Sequence, residues 1–165
     1  MASARGRAVD PEHVDLTSGE IAELRALVPQ LSAYFRRARS EMPPGMREDF
    51  EKYGLGPRHG AVLTQLLADS PSTISELASR LGVSLPSVSE VVADLVSSDW
   101  VLRAADPSNR RRTLLSLNPR HKRQLTRYAD VRTAPLVGAL RRLSFAQRAG
   151  FMAGLREWVR EANTG

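Results

Sequence analysis

The chain contains no cysteine. That excludes disulfides, thiol nucleophiles, zinc–thiolate sites and a cysteine redox switch. It has no apolar run near the ~18 residues that span a bilayer. No apolar stretch follows Arg5 and Arg7, so no secretory signal is visible. A cytoplasmic protein with no membrane partner is the expectation. Histidine is scarce, and His13, His59 and His121 are scattered without metal-ligand spacing. There is no Gly-x-Ser-x-Gly elbow, no phosphate-cradling glycine-rich loop and no His-Glu-x-x-His. The sequence therefore predicts no enzyme, no metal site and no cofactor.

What is present is the composition of an ordinary globular chain, with 165 residues, 42% of them hydrophobic and 25% charged. This is one domain's length with room for helical extensions. The net charge of +6 is concentrated. Residues 101–127 hold Arg103, Arg110, Arg111, Arg112, Arg120, Lys122, Arg123 and Arg127 against Asp106 alone, which leaves the rest of the chain slightly acidic. Such a focus suits a phosphate backbone or another anionic surface. The competing explanation is a solvated helix face.

Residues 1–16 lack apolar periodicity and read as a mobile tail. Thr17 and Glu20 have capping-box spacing. Leu24, Leu31 and Phe35 then recur at helical spacing, with Pro29 expected to kink the helix. Met42-Pro43-Pro44-Gly45 is a turn signal, with a short amphipathic segment around Arg47–Tyr53. From Pro57 the chain becomes denser, and Val62, Leu63, Leu66 and Leu67 make a short buried helix ended by Asp69-Ser70-Pro71. Thr73 and Glu76 form a second capping box, and Gly82 stands where a helix-ending glycine belongs. Ser84 caps a third helix with Pro86 in its first turn and Val88, Val91, Val92 and Leu95 inside. The period then changes. Val101 to Ala105 and Thr113 to Leu117 read as two strands about an Asp106–Asn109 turn. Helices follow from Pro119 to Leu140, with a further kink at Pro135, and beyond a Ser144/Gln147 capping box to Phe151, Leu155 and Trp158.

Two helices joined by a glycine-containing turn, the second with a polar outer face, make a helix-turn-helix. Its second helix reads the major groove from its N-terminal end. The candidate readers are Pro86, Ser87, Ser89, Glu90 and Ala93. A β-hairpin directly after that helix is a wing, and Arg110, Arg111 and Arg112 lie just past its turn, where guanidinium groups clamp phosphates or enter a narrow minor groove.

Over about residues 55–120 the sequence resembles the MarR (multiple-antibiotic-resistance regulator) family of winged helix-turn-helix repressors. The resemblance is carried by Leu55-Gly56-Pro57-Arg58-His59, by Ile74 to Val83, by Val88-Ser89 and Leu95, by the wing motif Arg103 to Arg111, and by Leu115 to Asn118. It implies a mainly α (α+β) fold with N- and C-terminal dimerisation helices. The organisation expected is a tail (1–16), a dimerisation helix and connector (17–54), a DNA-binding lobe (55–118) and C-terminal dimerisation helices (119–165). It also implies a homodimer on a pseudo-palindromic operator in double-stranded DNA, and repression relieved by a small aromatic or amphipathic effector. The effector crevice would lie beside Tyr34, Met46 and His59. For His59, packing or capping competes with ligand contact.

Three departures from the family pattern stand out. Asn109 replaces the usual wing aspartate, which leaves wing order without that charge. Asp99 replaces the glycine that usually follows the recognition helix. From Val83 to Leu102 there is no Lys or Arg, while Glu90, Asp94 and Asp99 bring three negative charges. Glu90 either accepts from a cytosine amino group or repels phosphates. An alternative function therefore stands beside the first: a winged-helix dimer serving mainly as a protein-interaction module with attenuated DNA binding.

Overall fold

The computed structural model describes residues 15–37 and 40–164. Most of the tail expected at 1–16 lies outside them. The chain divides into two compact units, residues 1–40 and 41–165.

In the first unit, α1 (Ser18–Arg36) starts as the capping-box spacing predicts. The Glu20 N–H donates to Thr17 Oγ1 at 3.2 Å, and the Thr17 N–H donates back to Glu20 at 2.8 Å. The helix runs unbroken through Pro29. The carbonyl that loses its donor belongs to exposed Arg25, where water can replace it. No residue of α1 is buried, and Leu24, Leu31 and Phe35 are all exposed.

The second unit begins with α2 (Pro44–Lys52) and α3 (Pro57–Ala68). Pro44 stands inside the expected turn but opens a helix, since a first-turn position needs no N–H donor. The helix-turn-helix follows as α4 (Ile74–Leu81) and α5 (Leu85–Ser97). The Thr73 hydroxyl and Glu76 carboxylate cap α4 reciprocally. Gly82 then takes φ +65°, a left-handed conformation that glycine adopts without a Cβ penalty. Ser84 caps α5, accepting from the Ser87 N–H at 3.3 Å.

The wing is a two-stranded antiparallel sheet of β1 (Val101–Asp106) and β2 (Asn109–Leu117). Its base is regular, pairing Val101 with Leu117 through to Ala105 with Thr113. The next pair is Asp106 with Asn109. β2 therefore starts earlier than the sequence predicts, and Arg110, Arg111 and Arg112 fall between successive pairs as an excess with no cross-strand partner. Asp106 Oδ1 closes the tip, accepting from the Ser108 N–H at 2.8 Å and its hydroxyl at 2.6 Å. At the base, Ser72 exchanges backbone hydrogen bonds with Leu115, at 2.9 and 2.7 Å. The residue ahead of the α4 cap is thereby stitched to the wing.

The core gathers Met46 and Phe50 of α2, Leu63 and Leu66 of α3, Leu77 of α4, Val88, Val92 and Leu95 of α5, and Trp100 and Leu115. Trp100 is fully buried, edge-on to Phe50 and stacked on His121 at 4.0 Å between centroids. His121 belongs to α6 (Pro119–Leu140), which precedes α7 (Phe145–Thr164). Asp99, in the glycine position after α5, takes φ +61°. The Asn118 amide donates to its carbonyl at 2.9 Å and its carboxylate at 3.1 Å, and Arg120 pairs with it at 2.6 Å. These contacts offset a conformation that costs a non-glycine residue about 1–2 kcal/mol. Among the described residues no helix is long and apolar enough to cross a membrane.

Candidate nucleic-acid interface

Helix α5 is oriented by its own pattern. Val88, Val91, Val92 and Leu95 are buried, so Pro86, Ser89, Glu90, Ala93 and Asp94 face outward. Ser87 is only half-exposed. Its hydroxyl lies 2.8 Å from that of Ser84, so it belongs as much to the helix cap as to the outer face.

The three wing arginines part company. Arg110 and Arg111 are exposed and have no ion-pair partner among the described residues. Arg112 reaches back to α4 instead, with its NH2 group 2.5 Å from Glu76 Oε1 and its Nε 4.0 Å from Asp106 Oδ2. Glu76 is suited to receive it. The Thr73 N–H and hydroxyl hold the Glu76 carboxyl below the usual carboxylate range, and the charges of Arg112 and Arg80 add to that. The Asp106 carboxyl is also lowered, first by the Ser108 hydroxyl and N–H and then by Arg112. Wing order thus survives the Asn109 substitution, because Asp106, three residues earlier, anchors both the tip and an arginine.

Two of the three acidic groups near α5 are tied. Asp99 pairs with Arg120, and Asp94 accepts from His59 at 3.1 Å. Glu90 is exposed and has no such partner among the described residues.

The residues expected to line an effector crevice are placed differently from one another. Met46 is 1% exposed. It shares the inner face of α2 with Phe50, one turn on, and is committed to the core, so it offers no surface to a ligand. His59 caps the start of α3 and touches Asp94. Tyr34, in the first unit, packs edge-on against Phe35 at 5.5 Å. An apolar cleft of about 410 Å³ lies elsewhere, among Arg58, Val62, Leu81, Val88, Val91 and Val159. The His59–Asp94 and Arg112–Glu76 contacts have no sequence signal, since each joins residues about 35 apart.

Residues 55–113 match the model of the MarR family. No curated protein matches the chain in sequence. Several solved structures share its fold. A MarR family protein from Bacillus stearothermophilus is 20% identical over 90% of this chain and 99% of its own, with a TM-score of 0.56. RV1404 from Mycobacterium tuberculosis is 19% identical over 90% and 96%, at 0.58. The transcriptional repressor CouR, solved on a 23-mer DNA duplex, is 22% identical over 89% and 100%, at 0.55. The lobe at residues 55–113 is thus similar in sequence to the MarR family, and the chain shares the winged helix-turn-helix fold of solved MarR proteins.

Proposed function

We propose that this chain is a cytoplasmic, homodimeric, sequence-specific DNA-binding transcriptional regulator. It acts as a repressor on a pseudo-palindromic operator and is relieved by a small organic ligand. The observation that carries this reading is the division of labour on one lobe. The outer face of α5 offers Ser89 and Glu90 to base edges, while Arg110 and Arg111, on an irregular wing segment, have no ion-pair partner among the described residues. CouR, solved on DNA, shares the fold. A gel-shift titration on the DNA upstream of the chain's own gene, against random duplex, tests it. Selective retardation of the upstream fragment is expected, and equal or absent binding overturns it.

The protein-interaction reading is favoured by the absence of any Lys or Arg from Val83 to Leu102. It loses ground because His59 engages Asp94 and Arg120 engages Asp99, which leaves Glu90 as the acid of α5 with no ion-pair partner among the described residues. For the effector, an aromatic or amphipathic molecule is proposed. The apolar cleft against Val88 and Val91 is a better seat than Met46, since a ligand there presses directly on α5. Relief requires only that such a ligand bind the DNA-competent and incompetent forms unequally.

A further inference from the structure

One imidazole joins the start of α3 to the recognition helix. His59 Nδ1 accepts the Gly56 N–H at 2.9 Å. In the neutral ring the other nitrogen then carries the proton, and Nε2 donates to Asp94 Oδ2 at 3.1 Å. The His59 side chain is only 12% exposed, whereas that of Asp94 is 53% exposed. Asp94 follows Glu90 by one turn on the outer side of α5, a helix with no cation of its own. Released, its carboxylate would sweep the face that, on the function proposed above, approaches phosphates.

We propose that His59 is a positioning residue for DNA recognition: it sets α5 against α3 and holds the Asp94 carboxylate back from the DNA backbone. This rests on the DNA-binding reading. The two ring nitrogens do separate jobs, and side-chain chemistry can separate them. Asparagine places an acceptor near the Nδ1 position and keeps the Gly56 cap, but is too short to reach Asp94. Glutamine places a donor near the Nε2 position and keeps the Asp94 bond.

The test measures binding of an upstream-region duplex and a random duplex of equal length by fluorescence anisotropy, with thermal melting alongside. His59→Asn is expected to weaken binding on the order of three- to tenfold on both duplexes without a matching loss of stability, because it acts through charge and not through a base contact. His59→Gln restores binding. Asp94→Asn binds as well as wild type or better, and adding His59→Asn to it changes nothing further. If His59→Asn binds as wild type does, or weakens binding equally with and without Asp94→Asn, His59 is a cap and the proposal is overturned. Wild-type protein that binds neither duplex overturns the underlying reading, and the proposal falls with it.

Discussion

Arg112 and Glu76 meet at 2.5 Å, so the third arginine of the wing is bonded to the first turn of α4, while Arg110 and Arg111 have no ion-pair partner among the described residues. Their salt dependence follows from this. Each phosphate neutralised contributes about −0.9 to the slope of log K against log salt. Replacing Arg110 and Arg111 with alanine removes about four contacts per dimer and should flatten the slope by roughly 3.6. Arg112→Ala should leave the slope nearly unchanged, its effect appearing as a looser wing in amide exchange. Equal slope changes for all three arginines would show that Arg112 leaves Glu76 to bind DNA.

The His121 imidazole predicts an acid limit to stability. Burial lowers its pKa below the ordinary 6.5, and the Arg120 charge lowers it further, against Asp49 and Asp99, which raise it. Arg120 Nε donates to Nε2 at 2.8 Å, an acceptance that an imidazolium cannot provide. The unfolded chain therefore binds the proton more readily. Stability from this group is complete above about pH 6.5 and drains away as pH falls from there through the folded-state value. His121→Gln should remove that component of the pH dependence of urea midpoints. Superimposable pH profiles for the two proteins would refute it.

Asp99 should respond in opposite ways to two small residues. At φ +61° alanine keeps the backbone cost and loses the carboxylate's contacts with Asn118 and Arg120, whereas glycine loses those contacts but is relieved of the cost. Asp99→Gly is expected to be about 1 kcal/mol more stable than Asp99→Ala by denaturant titration. A reversed order would mean that the left-handed conformation at position 99 costs alanine no more than glycine.

Leu24, Leu31 and Phe35 on α1, and Phe151 and Trp158 on α7, are at least 40% exposed. Unpartnered apolar faces of this kind are rarely left to solvent. The chain should sediment as a dimer at micromolar concentration. Glutamate at both Leu24 and Leu31 forfeits about 1.5–3 kcal/mol for each of the dimer's four leucines, at least about four decades in Kd, and should yield monomer. A wild-type monomer would remove both the dimer and its two-part operator.

The recognition lobe is legible in the sequence because its determinants are local. Thr73 with Glu76, Gly82, Ser84 and the valine stripe of α5 each fix a boundary within a few residues, and all fall where the spacing predicts. Pro44 misleads because a proline ends one segment and begins another equally well. The wing arginines are readable as a charge cluster but not as individuals. Arg110 to Arg112 lie out of register with β1, and nothing near Arg112 in sequence names Glu76 as the group it meets. Met46 escapes sequence reading for a related reason: its burial depends on the core residues of α3, α5 and α6 that gather with it and Phe50, which are distant in the chain.

The stitch between Ser72 and Leu115 has a consequence for how an operator would be measured. With α4 hydrogen-bonded to the wing at that point, and α5 following α4 across the Gly82 turn, the lobe ties the proposed base-reading helix to the proposed phosphate-binding wing. It works as a fixed-jaw gauge. On the dimer proposed above, substitutions within residues 55–118 would change which letters each jaw prefers, while the distance between the two jaws would be set by the helices outside that span. Letter preference and half-site separation should therefore vary independently across variants of this chain.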